Sequence, residues 1–253
     1  GAPSTVEPTT THEFEPPAIQ AMAPGAFVAG FAAARLHVAA LLRERRILFP
    51  LAFLVALLAG SAMWALPSEL PSREFYLPLL ALAALLPAGL AGGIASDLIA
   101  GERERRSLET FLCAPASPAS LIAGRASAIA LPAMGLSLVS ISLVRGALQS
   151  RGLAPSWPAS FAIAFGFAPA AILLSLAVGI WVSTRSRTVR AAAQMSALVS
   201  VPLVALSQAV PALTPAGFPA GEAWLCAGAI LLVSTLAICA RLARTLRPEF
   251  LVR

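Results

Sequence analysis

Six ionisable side chains fall within eight consecutive residues of this sequence: Glu102, Arg103, Glu104, Arg105, Arg106 and Glu109. Read as a helix, the stretch Gly101 to Pro118 (GERERRSLETFLCAPASP) pairs Glu102 with Arg106 and Arg105 with Glu109 at i, i+4. Leu108, Phe111 and Leu112 then gather on one face, and Pro115 and Pro118 stop the helix. A short amphipathic helix with an apolar edge is a dock for another protein. The alternative reading is a solvated charged loop.

Other chemistry is sparse. All 18 basic residues are arginine, and the chain has no lysine. A phosphate-binding P-loop uses a lysine in GxxxxGK[ST], so no such loop is expected, and no Schiff-base lysine is available. Of the cysteines Cys113, Cys226 and Cys239, the last two fall thirteen positions apart on one expected helix, too far for a disulfide at about 1.5 Å per residue. His12 and His37 lie far from them, and no CxxC or Cys/His cluster exists, so no metal site is expected. An intramembrane protease would need a histidine on a span, and none is expected there; Asp97 and Arg145 sit near span ends where they can reach the interface. The milder polar residues in the expected spans are Ser137, Ser140 and Ser142, Ser175, Ser196, Ser200, Ser207 and Gln208, and Ser234 and Thr235. Their expected role is interhelical hydrogen bonding, each worth about 1 kcal/mol. Alternatively Ser137, Ser140, Gln194, Ser200 and Gln208 line a pathway, which would suit an apolar or amphipathic substrate better than a small ion.

The elements that carry these residues follow from composition. The chain is 253 residues long, 58% hydrophobic and only 12% charged, with a mean hydropathy of +0.82. That is far more apolar than a soluble domain, and a spanning helix needs about 20 such residues to cross roughly 30 Å of hydrocarbon. The fold class expected is an all-α membrane protein with six transmembrane helices at 47–66, 75–100, 121–148, 161–184, 191–210 and 223–242. Pro87, Pro132, Pro169 and Pro202 would each kink one of the second to fifth spans. Gly89 with Gly93 suits close helix packing. Residues 1–25, rich in Pro, Thr and Glu, read as a mobile tail whose Gly1 suggests a processed start. Residues 26–46, ending in an arginine cluster, read as an interfacial helix or an extension of the first span. Residues 244–253 form a C-terminal tail.

Fifteen of the arginines fall on one side of this arrangement: Arg35, Arg43, Arg45 and Arg46 before the first span, Arg103, Arg105, Arg106 and Arg125 between the second and third, Arg185, Arg187 and Arg190 between the fourth and fifth, and Arg241, Arg244, Arg247 and Arg253 at the end. Arg73, Arg145 and Arg151 fall on the other. The positive-inside rule makes the first side cytoplasmic, with both termini there.

The segment after the second span resembles the stretch E-R-E-x-G-T-L-E-x-L-L-x-x-P-x-S of ABC-2 type permeases. Glu102, Arg103, Glu104, Leu108, Glu109, Leu112, Pro115 and Ser117 match it, and Gly124-Arg125 is similar to the Gly-Lys that follows in the family. Arg106-Ser107 stands where the family has Gly-Thr. A second resemblance lies in the basic turn Arg185 to Arg190, followed by Ala193, Gln194 and Pro202. The likeness covers Phe27 to Arg253. It implies an N-terminal interfacial (elbow) helix, and a coupling helix over 101–118 received by separate cytoplasmic ATP-binding subunits. In that coupling helix Glu102, Arg103, Glu104, Arg105, Arg106, Leu108, Glu109, Phe111 and Leu112 would dock. It further implies a second permease chain in a homo- or heterodimer, ATP and Mg used by the partner subunit with no cofactor in this chain, and export across a bacterial inner membrane. Membrane lipid surrounds such a protein, and no nucleic-acid partner is expected. Two rival readings are a permease-like subunit that transmits ATP-driven motion to an envelope or motility assembly, and a membrane scaffold or sensor.

Overall fold

A computed structural model describes residues 28, 32, 76–104, 118–214 and 217–245. Every regular element among them is helical. The expected first span, the interfacial helix apart from two isolated residues, both tails but for the end of the last helix, and Arg105, Arg106, Leu108, Glu109, Phe111 and Leu112 lie outside the described residues.

Helix α1 (Leu77–Ala95) is apolar on every side, and its buried residues include Leu80, Ala84, Ala88 and Ala91. Such a helix belongs inside a bundle rather than at its rim. After a break at Ser96 the chain continues as α2 (Asp97–Glu104). Helix α3 (Pro118–Ser150) crosses back. The next traverse begins as α4 (Trp157–Phe161), widens into a π-helical turn (Ala162–Phe167) and continues as α5 (Ala168–Arg185). The traverse after it is split into α6 (Val189–Ala197) and α7 (Ser200–Leu213), and α8 (Ala220–Thr245) is the last of the described helices. Five stretches are long and apolar enough to span a bilayer: Leu77–Glu104, Leu121–Ser150, Trp157–Arg185, Val189–Leu213 and Ala220–Arg244. Their ends agree with the expected second to sixth spans to within a turn or so.

At the centre α1 packs on α5, with α3 against α1 and α8 against α5 and the π turn. The close approach of α1 and α5 comes from missing side chains. A Cβ on Gly92 would stand 3.1 Å from the carbonyl oxygen of Ser175, and one on Gly179 would stand 2.5 Å from that of Gly92. Gly89 and Gly93, the expected packing pair, face open space instead, so the seam lies on the neighbouring face of the helix. A second tight crossing sets Gly228 of α8 against the backbone of Gly166, where a Cβ would meet the Gly166 carbonyl carbon at 2.9 Å. Beside it the Phe167 and Trp224 rings meet edge to face at 5.0 Å, and Trp224 is fully buried. This geometry adds to the burial energy of two large rings.

The prolines divide. Pro87 and Pro132 lie inside their helices, as does Pro211, whereas Pro169 opens α5 and Pro202 sits in the first turn of α7. At Pro202 the missing N–H costs little, because first-turn amides lack an intrahelical acceptor; Pro169 instead follows directly on the π-helical turn. Ahead of Pro169 the ladder widens, with the Ala168 N–H bonding to Ile163. The irregularities of the fourth and fifth spans are therefore breaks and a π turn rather than simple proline kinks.

Candidate functional site

The start of the expected coupling segment is held from three sides. Ser96 interrupts the second span, its N–H bonding to the Gly92 carbonyl at 3.0 Å and its hydroxyl to that of Gly93 at 2.6 Å. The amides of α2 that follow have no acceptor within their own turn. Ser183 of α5 supplies one: its Oγ accepts from the N–H of Ile99 at 3.0 Å and from that of Ala100 at 2.8 Å. Ser183 and Ala100 are fully buried and Ile99 nearly so, so water cannot replace these bonds. Leaving such amides unmet costs about 1–3 kcal/mol. Ser183 thus does for α2 what an N-cap residue usually does from within its own chain segment.

One turn later, Arg103 donates from Nη1 to the Ser186 carbonyl at 2.9 Å and from Nη2 to that of Thr184 at 3.4 Å. The position is favourable, since the last carbonyls of α5 carry the negative end of its dipole. Glu104 Oε2 accepts from the Val189 N–H at 3.2 Å, at the positive start of α6. Thr188 completes that start by accepting from the Ala191 N–H at 3.3 Å. On the opposite flank, Arg125 of α3 donates from Nη1 to Glu102 Oε1 at 3.0 Å. With side chains 36% and 20% exposed, this pair is worth at most about 1 kcal/mol.

Of the expected docking residues, the structure therefore brings Glu102, Arg103 and Glu104 together at the end of α2, each engaged by a different element. Glu102 meets Arg125; its expected i+4 partner, Arg106, lies outside the described residues. Ser183 was not among the residues the sequence singled out. Its signal was present, as Ser175, Gly179 and Ser183 recur every fourth residue, the spacing of one helix face.

The milder polar residues mostly bond back into their own helices. Ser140 donates to Leu136, Ser142 to Leu138, Ser200 to Ala197 and Ser207 to Val204. Ser137 is the exception, donating from α3 to the Ala84 carbonyl of α1 at 3.3 Å. Gln194 is exposed on α6, and Gln208 is exposed on α7 with its amide 3.3 Å from the Ser207 hydroxyl. Gln208 also lines a cavity of about 490 Å³ with Tyr76, Leu79, Leu82 and Pro211, between α1 and α7 at the end away from Glu102. A larger apolar cavity, about 740 Å³, lies between α3, α5 and α8, which surround it with residues such as Ala130, Ile180 and Cys239.

Arg145 lies near the end of the Leu121–Ser150 stretch, as expected, but is buried there. It is 8% exposed, and its Nη1 donates to the Pro155 carbonyl at 2.9 Å and to the Ser160 hydroxyl. The guanidinium lies 3.7 Å from the centroid of the Trp157 ring. It joins the end of α3 to the start of α4; the carbonyl, the hydroxyl and the indole replace part of the water it gives up, while its Nε is buried without an acceptor.

Long apolar helices enclosing a small-residue seam define a multi-pass helical membrane protein. The family model described as ABC-2 family transporter protein matches residues 9–219, and the chain belongs to that family. It is a permease of the ABC transporter class, the membrane component rather than the ATP-binding one. No curated protein and no solved structure matches the chain.

Proposed function

We propose that this permease couples ATP hydrolysis by separate cytoplasmic ATP-binding subunits to export of an apolar or amphipathic substrate, as one of two permease chains in the transporter. The observation that carries this reading is the engagement of Glu102, Arg103 and Glu104 at the head of the motif-bearing segment 101–118. A segment that receives force must be joined to the spans it moves. The proposed docking residues are Glu102 to Arg106, Leu108, Glu109, Phe111 and Leu112, with ATP and Mg bound by the partner. The chain would lie in a bacterial inner membrane with both termini cytoplasmic. This orientation is supported by Arg103, Arg125, Arg185, Arg187 and Arg190 lying around one end of the bundle, opposite Arg145 and Arg151. An expected first span at 47–66 would bring the total to six.

The cavity beside Gln208 is the candidate contact for substrate, since one amide in an apolar wall orients an amphipathic molecule without holding an ion. The test is ATPase activity of the chain reconstituted in proteoliposomes with its ATP-binding subunits. Stimulation by candidate amphiphiles supports export. Copurification with steady ATPase that no solute changes points to transmission of motion instead, and failure to recruit an ATP-binding subunit sinks the reading.

A further inference from the structure

Arg145 carries a full positive charge into the corner between α3 and α4, and no carboxylate among the described residues meets it. Both of its acceptors, the Pro155 carbonyl and the Ser160 hydroxyl, lie on Nη1. Its Nε is buried and has no acceptor. In a guanidinium the Nε and Nη2 donors point the same way and form a side-on fork, which takes a carboxylate or phosphate through two parallel bonds. A buried charge without a counter-charge is costly, so a group that filled this fork would stabilise the corner.

A second feature starts at the same place. The Trp157 ring lies against the guanidinium, and Phe161 and Phe165 follow it four and eight residues on. Successive ring centroids are 5.7 and 5.8 Å apart, so the three rings make a continuous stripe. The rings are 58%, 52% and 65% exposed, which leaves the stripe open along its whole length. Because α4 opens the traverse Trp157–Arg185, the stripe runs from the rim of the bundle toward its middle. A cation at the rim with an apolar track leading inward is the complement of an amphiphile, with an oxyanion at one end and hydrocarbon at the other.

We propose that Arg145 and the Trp157, Phe161 and Phe165 rings bind an anionic phospholipid, its phosphate on the Nε and Nη2 edge of Arg145 and an acyl chain along the rings. Aromatic residues at a membrane rim anchor spans without selecting a headgroup. The unfilled fork is what adds selectivity for phosphate here. A soluble anion fits less well, because Arg145 keeps only 8% of its surface open and the rings offer it no polar partner. The Trp157 indole, open on its outer side, can tilt to admit the headgroup. The site lies at the end of the bundle opposite Arg103 and Arg125, and it does not depend on coupling to ATP hydrolysis.

The test is native mass spectrometry of the full chain released from a neutral detergent after incubation with dioleoyl phosphatidylglycerol, dioleoylglycerol or inorganic phosphate. Three proteins are compared: the parent, Arg145→Gln, and the double variant Phe161→Ala with Phe165→Ala. The parent should retain phosphatidylglycerol in preference to dioleoylglycerol by about tenfold or more, the ratio that one charge-assisted hydrogen bond supplies. Inorganic phosphate should neither be retained nor compete. Arg145→Gln should bring the two lipids close to parity, and the ring variant should lower retention of both while keeping their ratio. A merely structural Arg145 would change thermal stability and leave the ratio as it was.

Equal retention of the two lipids by the parent overturns the phosphate site. Displacement of phosphatidylglycerol by inorganic phosphate makes the fork a site for a soluble anion and overturns the lipid. Should Arg145→Gln fail to fold, the ring variant decides, since its side chains face out of the bundle. Undiminished phosphatidylglycerol retention in that variant removes the stripe, and the site with it.

Discussion

Arg125 donates to Glu102 across 3.0 Å, joining residues 23 positions apart in the chain. Both belong to the segment that resembles the ABC-2 pattern, Glu102 at its head and Arg125 where the family carries Gly-Lys. The basic residue that follows this motif-bearing segment therefore meets the acidic residue that opens it.

Reversing charge at Glu102 and Glu109 together should uncouple ATPase activity from solute stimulation while leaving membrane insertion intact. Copurification with the ATP-binding subunits and paired ATPase and transport assays check this. Normal coupling in the double variant would remove these residues from the coupling interface. Exchanging the pair as Glu102→Arg with Arg125→Glu should recover stability lost in either single variant, by no more than about 1 kcal/mol.

Gly179→Ala should lower thermal stability in detergent, because its new methyl would meet the Gly92 carbonyl at 2.5 Å. Overpacking of this kind costs about 1–3 kcal/mol. Gly89→Ala and Gly93→Ala, with open space at their Cβ positions, should leave stability unchanged or raise it by up to about 1 kcal/mol through helix propensity. Equal losses at all three positions would contradict the α1 to α5 seam.

Ala212→Trp should fill the cavity between α1 and α7 and abolish solute stimulation while basal ATPase remains. Gln208→Leu should shift preference toward less polar solutes by about tenfold if one hydrogen bond of roughly 1.4 kcal/mol is lost. Dose-response curves of ATPase stimulation in proteoliposomes provide the measurement. Identical curves for parent and variants would place the substrate elsewhere.

Arg145→Met should destabilise the α3 to α4 corner by about 1–3 kcal/mol, because the Pro155 carbonyl and Ser160 hydroxyl lose a buried donor. Arg145→Lys should not restore it, since an ammonium lacks the flat face that lies over Trp157. Thermal unfolding of the solubilised chain, followed by size-exclusion recovery, distinguishes the three proteins. A parent-like lysine variant would reduce Arg145 to a plain positive charge.

Hydropathy made five long apolar helices legible, because bilayer thickness imposes a minimum length on such stretches. The phase of α1 was not legible. A helix apolar on every side has no stripe to show which glycines face a neighbour, so Gly89 with Gly93 and Gly92 alone looked alike until α5 was in place. The breaks at Ser96 and after Ala197 were hidden for a related reason: Ser183 supplies the acceptor that makes the first tolerable, and it comes from 84 residues away from Ile99. The charged segment after α1 stood out by its type and spacing, yet its partners lie on α3, α5 and α6. Only folding brings those partners to Glu102, Arg103 and Glu104.

The buried face of α1 is lined by Ala81, Ala84, Ala88, Ala91 and Ala95, each at most 1% exposed. Alanine has no side-chain torsion to reset. Two helices meeting through such a surface can slide past one another without any rotamer jump, as gears without teeth would. The alanine row thus leaves little on that face of α1 to repack if a neighbour shifts, while the Gly92 to Gly179 contact and fully buried Leu80 and Ile172 hold the register.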